Sequence, residues 1–328
     1  MLSKPRKVLV TREIPEVGLK LLRRNKKIKL DVFSDDKVIP RRELLRRVKG
    51  CYAILPLLTD QIDEEVLDAA GPELKIVSNY AVGYDNIDVP ACVDRGIVVT
   101  NTPGVLTDAV TEHTIALITS LARRIPESDR FTRAGKYRGW EPMLFLGTQL
   151  KGKTIGIVGL GRIGQEVAAR AAGGLGMDIM YYDIARNRDF EQAYGARRGK
   201  LDAIVKEADV ITLHVPLLAS THHLIDNRRL NMMKKEAYLI NTSRGPIVDE
   251  AALVSALKKK RIAGAALDVF ENEPKIAAGL TKLDNVILTP HTASATIETR
   301  SAMADMAAQA ILDVLAGHQP KHIVKPTP

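Results

Sequence analysis

TIGIVGLGRIGQEVAARA, residues 154–171, runs from an apolar, β-branched stretch through closely spaced glycines into an amphipathic helical pattern. Gly159, Gly161 and Gly164 stand in GxGxxG spacing. The spacing alone is weak, because strand-to-helix turns use glycine without any ligand. Its context adds weight: the glycines permit a tight turn and close backbone approach, so the first amides of the helix can face a pyrophosphate. The next apolar run, MDIMYYD (177–183), ends in Asp183, nineteen residues after Gly164. That is where an acid accepts from a ribose 2′-hydroxyl. Asp183 also repels a 2′-phosphate, which favours NAD(H). NADP(H) stays possible, because Arg186 and Arg188 follow closely.

Outward from this stretch the same alternation continues. DVITLHV (209–215), AYLINTS (237–243), IAGAALDVF (262–270) and NVILTP (285–290) read as further strands of one α/β unit. Towards the N-terminus, KVLVT, IKLDVF, YAILP, LKIVSNY and IVVTN alternate with helical GLKLLRRN, RRELLRRV and DEEVLDAA, a second such unit. Fully apolar strands alternating with amphipathic helices argue parallel sheets. A long helix, DAVTEHTIALITSLARR, joins the two. The following AGKYRGWEPMLFLG (134–147) reads as irregular. Near the end, SATIETRSAMADMAAQAILDVLAG reads as a long helix able to return the chain to the first unit.

Composition narrows the classes. Lys and Arg exceed Asp and Glu by 48 to 39, a net charge of +9. The basic residues are spread through RRELLRRVKG, ARR and KKKR with few aromatics between them to stack bases, which argues against nucleic acid. Cys51 and Cys92 show no metal-ligand spacing and imply no disulfide scaffold. The apolar run near the N-terminus is flanked by charges and too short for a signal core, and no stretch reaches the length of a membrane span. A cytoplasmic protein without membrane contact is expected.

Three strand ends of the unit around Gly159 carry unusual polar groups: Arg244 in INTSRG, Asp268, Glu271 and Glu273 in DVFENEP, and His291 in TPHTAS. In open α/β sheets ligands bind beyond the carboxyl ends of strands. Together with GLGRIG, NYAVGYDNID and VTNTPGVLT, these segments resemble the D-isomer-specific 2-hydroxyacid dehydrogenases over nearly the whole chain, and most closely their glyoxylate reductase branch. The resemblance implies two flavodoxin/Rossmann-like domains with the active site between them: residues 1–102 plus 291–328 for substrate, 103–290 for NAD(P). It implies that Arg244 binds the substrate carboxylate, that His291 is the acid-base and that Glu273 is its partner. Glu273 beside the ring would raise the histidine pKa and keep the proton donor charged near neutrality. Substrate contacts implied are Leu58, the amides of Val82 and Gly83, and Trp140, the last from a neighbouring subunit of a homodimer. Cofactor contacts implied are Gly159, Gly161, Arg162, Ile163, Gly164, Asp183, His214, Pro216, Thr242, Asp268 and Ser294. Glu271 has no role in this scheme and reads as a solvated loop acid, and no metal is implied.

The chain departs from the branch after His291, with Thr292 and Ala293 before Ser294 in place of the usual Ile-Gly. Val82 stands where the similar phosphite dehydrogenases carry lysine, and Glu273 where formate dehydrogenases carry glutamine. The expectation is reduction of glyoxylate, with hydroxypyruvate a second small 2-oxo acid substrate. A broader D-lactate or D-glycerate type dehydrogenase and a cofactor-sensing binding protein of the same fold are the alternatives.

Overall fold

A computed structural model describes residues 4–326. The chain divides into two units, one running through Leu106 and resuming at Ala295, the other Thr107–Ser294. Both junctions fall four residues later than the sequence divisions at 102/103 and 290/291, so His291 lies in the second unit rather than with the first.

The first unit is a five-stranded parallel sheet in the order β2-β1-β3-β4-β5. Its strands are β1 (Arg6–Val10), β2 (Ile28–Val32), β3 (Cys51–Leu55), β4 (Ile76–Ser78) and β5 (Val98–Thr100). Val8, Leu9, Val10, Ile54 and Leu55 are wholly buried, as the apolar runs require of strands covered on both faces. The C-terminal helix Ile297–Leu315 returns here, and Tyr80 and Tyr52 hydroxyls donate to the carbonyls of Arg300 and Val314. It crosses the helix Glu16–Arg24 so tightly that a β-carbon on Gly18 would stand 2.5 Å from the Ala304 carbonyl oxygen. Cys51 and Cys92 are free and buried, and burial pushes both thiols up to about 12, leaving them protonated and unreactive.

The second unit is a seven-stranded parallel sheet in the order β12-β11-β10-β9-β6-β7-β8. Its strands are β6 (Thr154–Val158), β7 (Asp178–Tyr182), β8 (Arg197–Arg198), β9 (Val210–Leu213), β10 (Tyr238–Asn241), β11 (Gly264–Leu267) and β12 (Val286–Leu288). The order reverses between β6 and β9, the switch point at which doubly wound sheets open a ligand crevice. The expected α/β class with parallel sheets is therefore observed. Among the elements that escaped the sequence reading are β8, a pair of exposed arginines without apolar signal, the helix Ile125–Arg133, which buries no residue, and the short helices Val89–Asp94, Arg188–Tyr194, Leu201–Glu207 and Asn227–Met232. Among the described residues no helix is long and apolar enough to cross a membrane.

Candidate active site

The loop after β6 is shaped by its glycines. Gly159 holds φ 98, closed to most side chains, and a β-carbon there would meet the His214 carbonyl at 2.8 Å. A β-carbon on Gly164 would fall 2.0 Å from the Gly159 carbonyl oxygen. Gly161 differs: its side faces open space, and it begins the helix Arg162–Leu175 without any side-chain cap. The first amides of that helix, from Arg162 and half-buried Ile163, are thus available to an anion. Asp183 lies alongside at the end of β7, its Oδ2 accepting from the Leu160 amide at 2.7 Å and its Oδ1 from Ala185 at 3.0 Å. Leu160, Asp183, Arg186 and Arg188 line a cleft of about 520 Å³. Arg186 is held by Glu191 at 2.7 Å, and Glu191 also accepts from the Tyr181 hydroxyl. These groups fit a dinucleotide: backbone donors for its phosphates, and a carboxylate for a ribose.

At the end of β9, His214 turns its Nε2 to the Thr212 hydroxyl at 3.0 Å, and burial pushes the ring down to about 3, so it stays neutral. Pro216 follows on the exposed loop, and Thr242 at the end of β10 meets the Thr114 hydroxyl at 3.0 Å.

Parallel register sets the ends of three strands side by side. Asn241 of β10 pairs with Leu267 of β11, and Leu267 with Leu288 of β12, so Arg244, the segment 268–273 and His291 emerge at one edge. Gly245 lets the first two close up, since a β-carbon there would overlap the Phe270 carbonyl carbon at 1.9 Å. Glu273 Oε2 lies 3.0 Å from His291 Nδ1, and its Oε1 accepts from the Phe270 amide at 3.0 Å. Burial pushes the Glu273 carboxyl up, but His291, the Phe270 amide and the Arg244 charge together hold it below the usual carboxylate range. Glu273 is therefore an anion that faces the imidazole and feels the guanidinium. Arg244, half-buried, directs Nη1 to the Ser243 carbonyl at 2.9 Å, while Asn241 Nδ2 donates to the Arg244 carbonyl at 2.8 Å.

Asp268, wholly buried, has a task in the structure that the sequence did not suggest. Its Oδ1 accepts from the Thr289 hydroxyl at 2.6 Å and the Thr292 amide at 2.8 Å, and its Oδ2 from the Ala293 amide at 2.9 Å. Its carbonyl accepts from the His291 amide at 2.8 Å. His113 completes the set, with Nε2 3.5 Å from Asp268 Oδ1 and 3.2 Å from the Thr289 hydroxyl. Burial pushes the carboxyl up, but His113, Thr289 and the two amides hold it below the usual range. Asp268 thus ties down the turn that carries His291 and continues to half-buried Ser294. The sequence reading gives His113 no role. The signal was its place on the buried stripe of the helix Thr107–Ala122, three residues after Val110 and four before Leu117.

One sequence reading is corrected outright. Glu271 is not a solvated loop acid: its Oε1 lies 2.7 Å from His223 Nε2, its Oε2 accepts from the Glu250 amide at 3.3 Å, and its amide donates to Glu250 Oε1 at 2.8 Å.

In the first unit, the loop carrying Val82 and Gly83 is braced by amides from below. Asn101 Nδ2 donates to the Val82 carbonyl at 2.7 Å and Asn79 Nδ2 to the Gly83 carbonyl at 2.8 Å. Leu58, half-buried, follows β3. Trp140 is 83% exposed.

Residues 115–293 match the family model for the D-isomer specific 2-hydroxyacid dehydrogenase, NAD binding domain. A glyoxylate reductase of Thermococcus litoralis is 49% identical over 322 residues, covering 97% of this chain and 96% of its own. One of Thermofilum pendens is 51% identical over 323 residues, covering 97% and 94%. Among solved structures, an NADPH-dependent glyoxylate/hydroxypyruvate reductase of Sinorhizobium meliloti, in complex with NADP and malonate, is similar with a TM-score of 0.85 at 33% identity, covering 98% of this chain and 97% of that one. A glyoxylate reductase of Paecilomyes thermophila gives a TM-score of 0.87 at 30% identity, covering 98% of each. With a family match across more than half its length and relatives about half identical along nearly all of it, the chain belongs to the D-isomer-specific 2-hydroxyacid dehydrogenase family.

Proposed function

We infer that the protein reduces glyoxylate, and also hydroxypyruvate, to the 2-hydroxy acid with NAD(P)H. The observation that carries this reading is the pair of His291 and the Glu273 anion 3.0 Å apart, with the charge of Arg244 reaching the same carboxylate. A planar guanidinium matches a carboxylate in a way lysine does not. Arg244 takes the substrate carboxylate and polarises the neighbouring carbonyl. With Nδ1 facing Glu273, the other ring nitrogen, Nε2, is the one that gives its proton to the carbonyl oxygen. Glu273 holds the ring in that orientation for the transfer. A bound reduced nicotinamide supplies the hydride that the carbonyl carbon receives, so one hydride and one proton complete the hydroxyl. Run backwards, His291 accepts the hydroxyl proton, and the hydride would return to the oxidised nicotinamide.

NAD(H) is the favoured cofactor, because Asp183 lines the cleft and Arg186 is already engaged by Glu191 rather than left to a 2′-phosphate. The reading extends to a cytoplasmic homodimer. Tyr137, Trp140, Met143 and Leu146 expose their apolar surface along one segment, which the edge-to-face contact of Phe131 and Phe145 at 5.1 Å braces from behind. Contiguous apolar exposure of this kind marks an interaction surface, and Trp140 would reach the partner's substrate there.

The test is a steady-state panel of glyoxylate, hydroxypyruvate, pyruvate and phosphite with each nicotinamide cofactor. Glyoxylate with NADH should give the highest kcat/KM, with hydroxypyruvate next and phosphite inert. Failure to turn over any 2-oxo acid overturns the reductase reading, and a clear preference for pyruvate moves it to the broader dehydrogenase type.

A further inference from the structure

Once Asp268 and Glu273 have their partners, Glu271 and the two adjacent histidines it faces form a second cluster outside the reduction machinery. His222 and His223 lie in the turn after β9. The His222 amide donates to the Leu218 carbonyl at 2.9 Å and the His223 amide to the Pro246 carbonyl at 2.8 Å. His223 adopts φ 48, in the left-handed region that side chains with a β-carbon rarely take. The two rings stack, with centroids 4.1 Å apart and planes 27° apart. His223 Nε2 is 2.7 Å from Glu271 Oε1, and one ligand atom from each of the three residues lies within 4.8 Å of the others. Glu271 is fixed from behind by its two hydrogen bonds with Glu250 and by the close passage of Gly245 beneath its amide.

We propose that His222, His223 and Glu271 bind a divalent transition-metal ion of the zinc, cobalt or nickel kind, which clamps the turn after β9 to the DVFENEP segment. The donor chemistry selects the ion class. Two imidazoles and one carboxylate suit borderline cations, whereas calcium and magnesium prefer all-oxygen shells. Metal bonds of about 2.0–2.2 Å to nitrogen and oxygen bring ligand atoms to roughly 3–4 Å from one another. The present separations reach that range when exposed His222 rotates inward and the His223–Glu271 pair, now 2.7 Å apart, opens by a few tenths of an ångström. The hydrogen now shared between His223 Nε2 and Glu271 leaves to solvent as the ion takes its position. Water completes the coordination on the open side of His222. A purely structural hydrogen bond accounts for His223 and Glu271, but it leaves unexplained why the exposed neighbouring ring stacks with a nitrogen near the same point.

This inference stands apart from the reductase reading and is tested without turnover. Tag-free, chelator-treated full chain is titrated with Co²⁺, followed by its visible absorption, and with Zn²⁺, followed by thermal unfolding. The expected result is one saturable Co²⁺ site per chain and a higher Tm with Zn²⁺. In His222→Ala the affinity should fall at least ~tenfold, the scale of losses around metal ligands, and in the His222→Ala/His223→Ala double variant the site should vanish. Circular dichroism checks that the variants are folded. Should the double variant not fold, the exposed single variant decides. Absence of a saturable Co²⁺ spectrum, or wild-type affinity in His222→Ala, overturns the proposal.

Discussion

His291 carries a β-carbon yet stands at φ 54, a conformation that costs about 1–3 kcal/mol outside glycine. Its amide offsets that cost by donating to the carbonyls of Asp268 and Thr289 at 2.8 and 3.0 Å. The consequence is chemical: Nδ1 is committed to Glu273, and Nε2 is the nitrogen left to exchange a proton with substrate. Alanine at this position would mix loss of the ring with backbone strain. Asparagine tolerates the left-handed region, so His291→Asn isolates the ring. Its turnover should fall roughly 10²–10⁴-fold, the scale of general acid-base catalysis, while its urea midpoint stays near that of wild type. Turnover within a few-fold of wild type would remove His291 from the proton transfer. The polar residues at strand ends were legible because such groups stand out against apolar runs. Glu271 was misread because its partners His223 and Glu250 lie 48 and 21 residues away, and a local pattern says nothing about pairs so distant.

At the scale of elements, the strands of both sheets were legible from their β-branched runs, and only β8, with no apolar residue, was not. What the runs could not reveal is how the turn after β12 is held. Asp268 leaves β11 buried and gathers two amides, a hydroxyl and His113 onto one carboxylate. Asp268→Asn keeps the shape but replaces one acceptor oxygen with a donor, so an amide of Thr292 or Ala293 loses its partner. A buried amide left unpaired costs about 1–3 kcal/mol, which should appear as a loss of that size in urea unfolding. Because the same turn carries His291, kcat should fall by more than KM changes. A variant that lost stability but kept wild-type kcat at saturating substrate would make Asp268 a fold residue alone and sever it from the positioning of His291.

For the whole molecule, the response to acid separates surface charge from buried charge. Surface pairs such as Glu43, held at about 2 by Arg46 and then Arg47, are screened by solvent and contribute little. His214 is different, because desolvation of its half-buried ring at the end of β9 lowers it from 6.5 to about 3. As pH falls through 6.5 the unfolded chain takes up a proton at this position and the folded chain does not. The stability that neutral His214 permits is therefore complete above 6.5 and is lost progressively towards 3. Asp268 and Glu273, both held below their ordinary values, act later: their contribution is complete above the unfolded carboxylate range and declines beneath it. Between about pH 7 and about pH 4.5, then, His214 dominates the slope among these three groups. His214→Asn keeps a polar group able to reach the Thr212 hydroxyl but cannot titrate. Urea unfolding across that interval should show a midpoint that falls less steeply with acid in the variant than in wild type. Parallel slopes would mean that the imidazole ionises inside the folded protein as readily as outside it, and that the enclosure of its ring does not govern its charge.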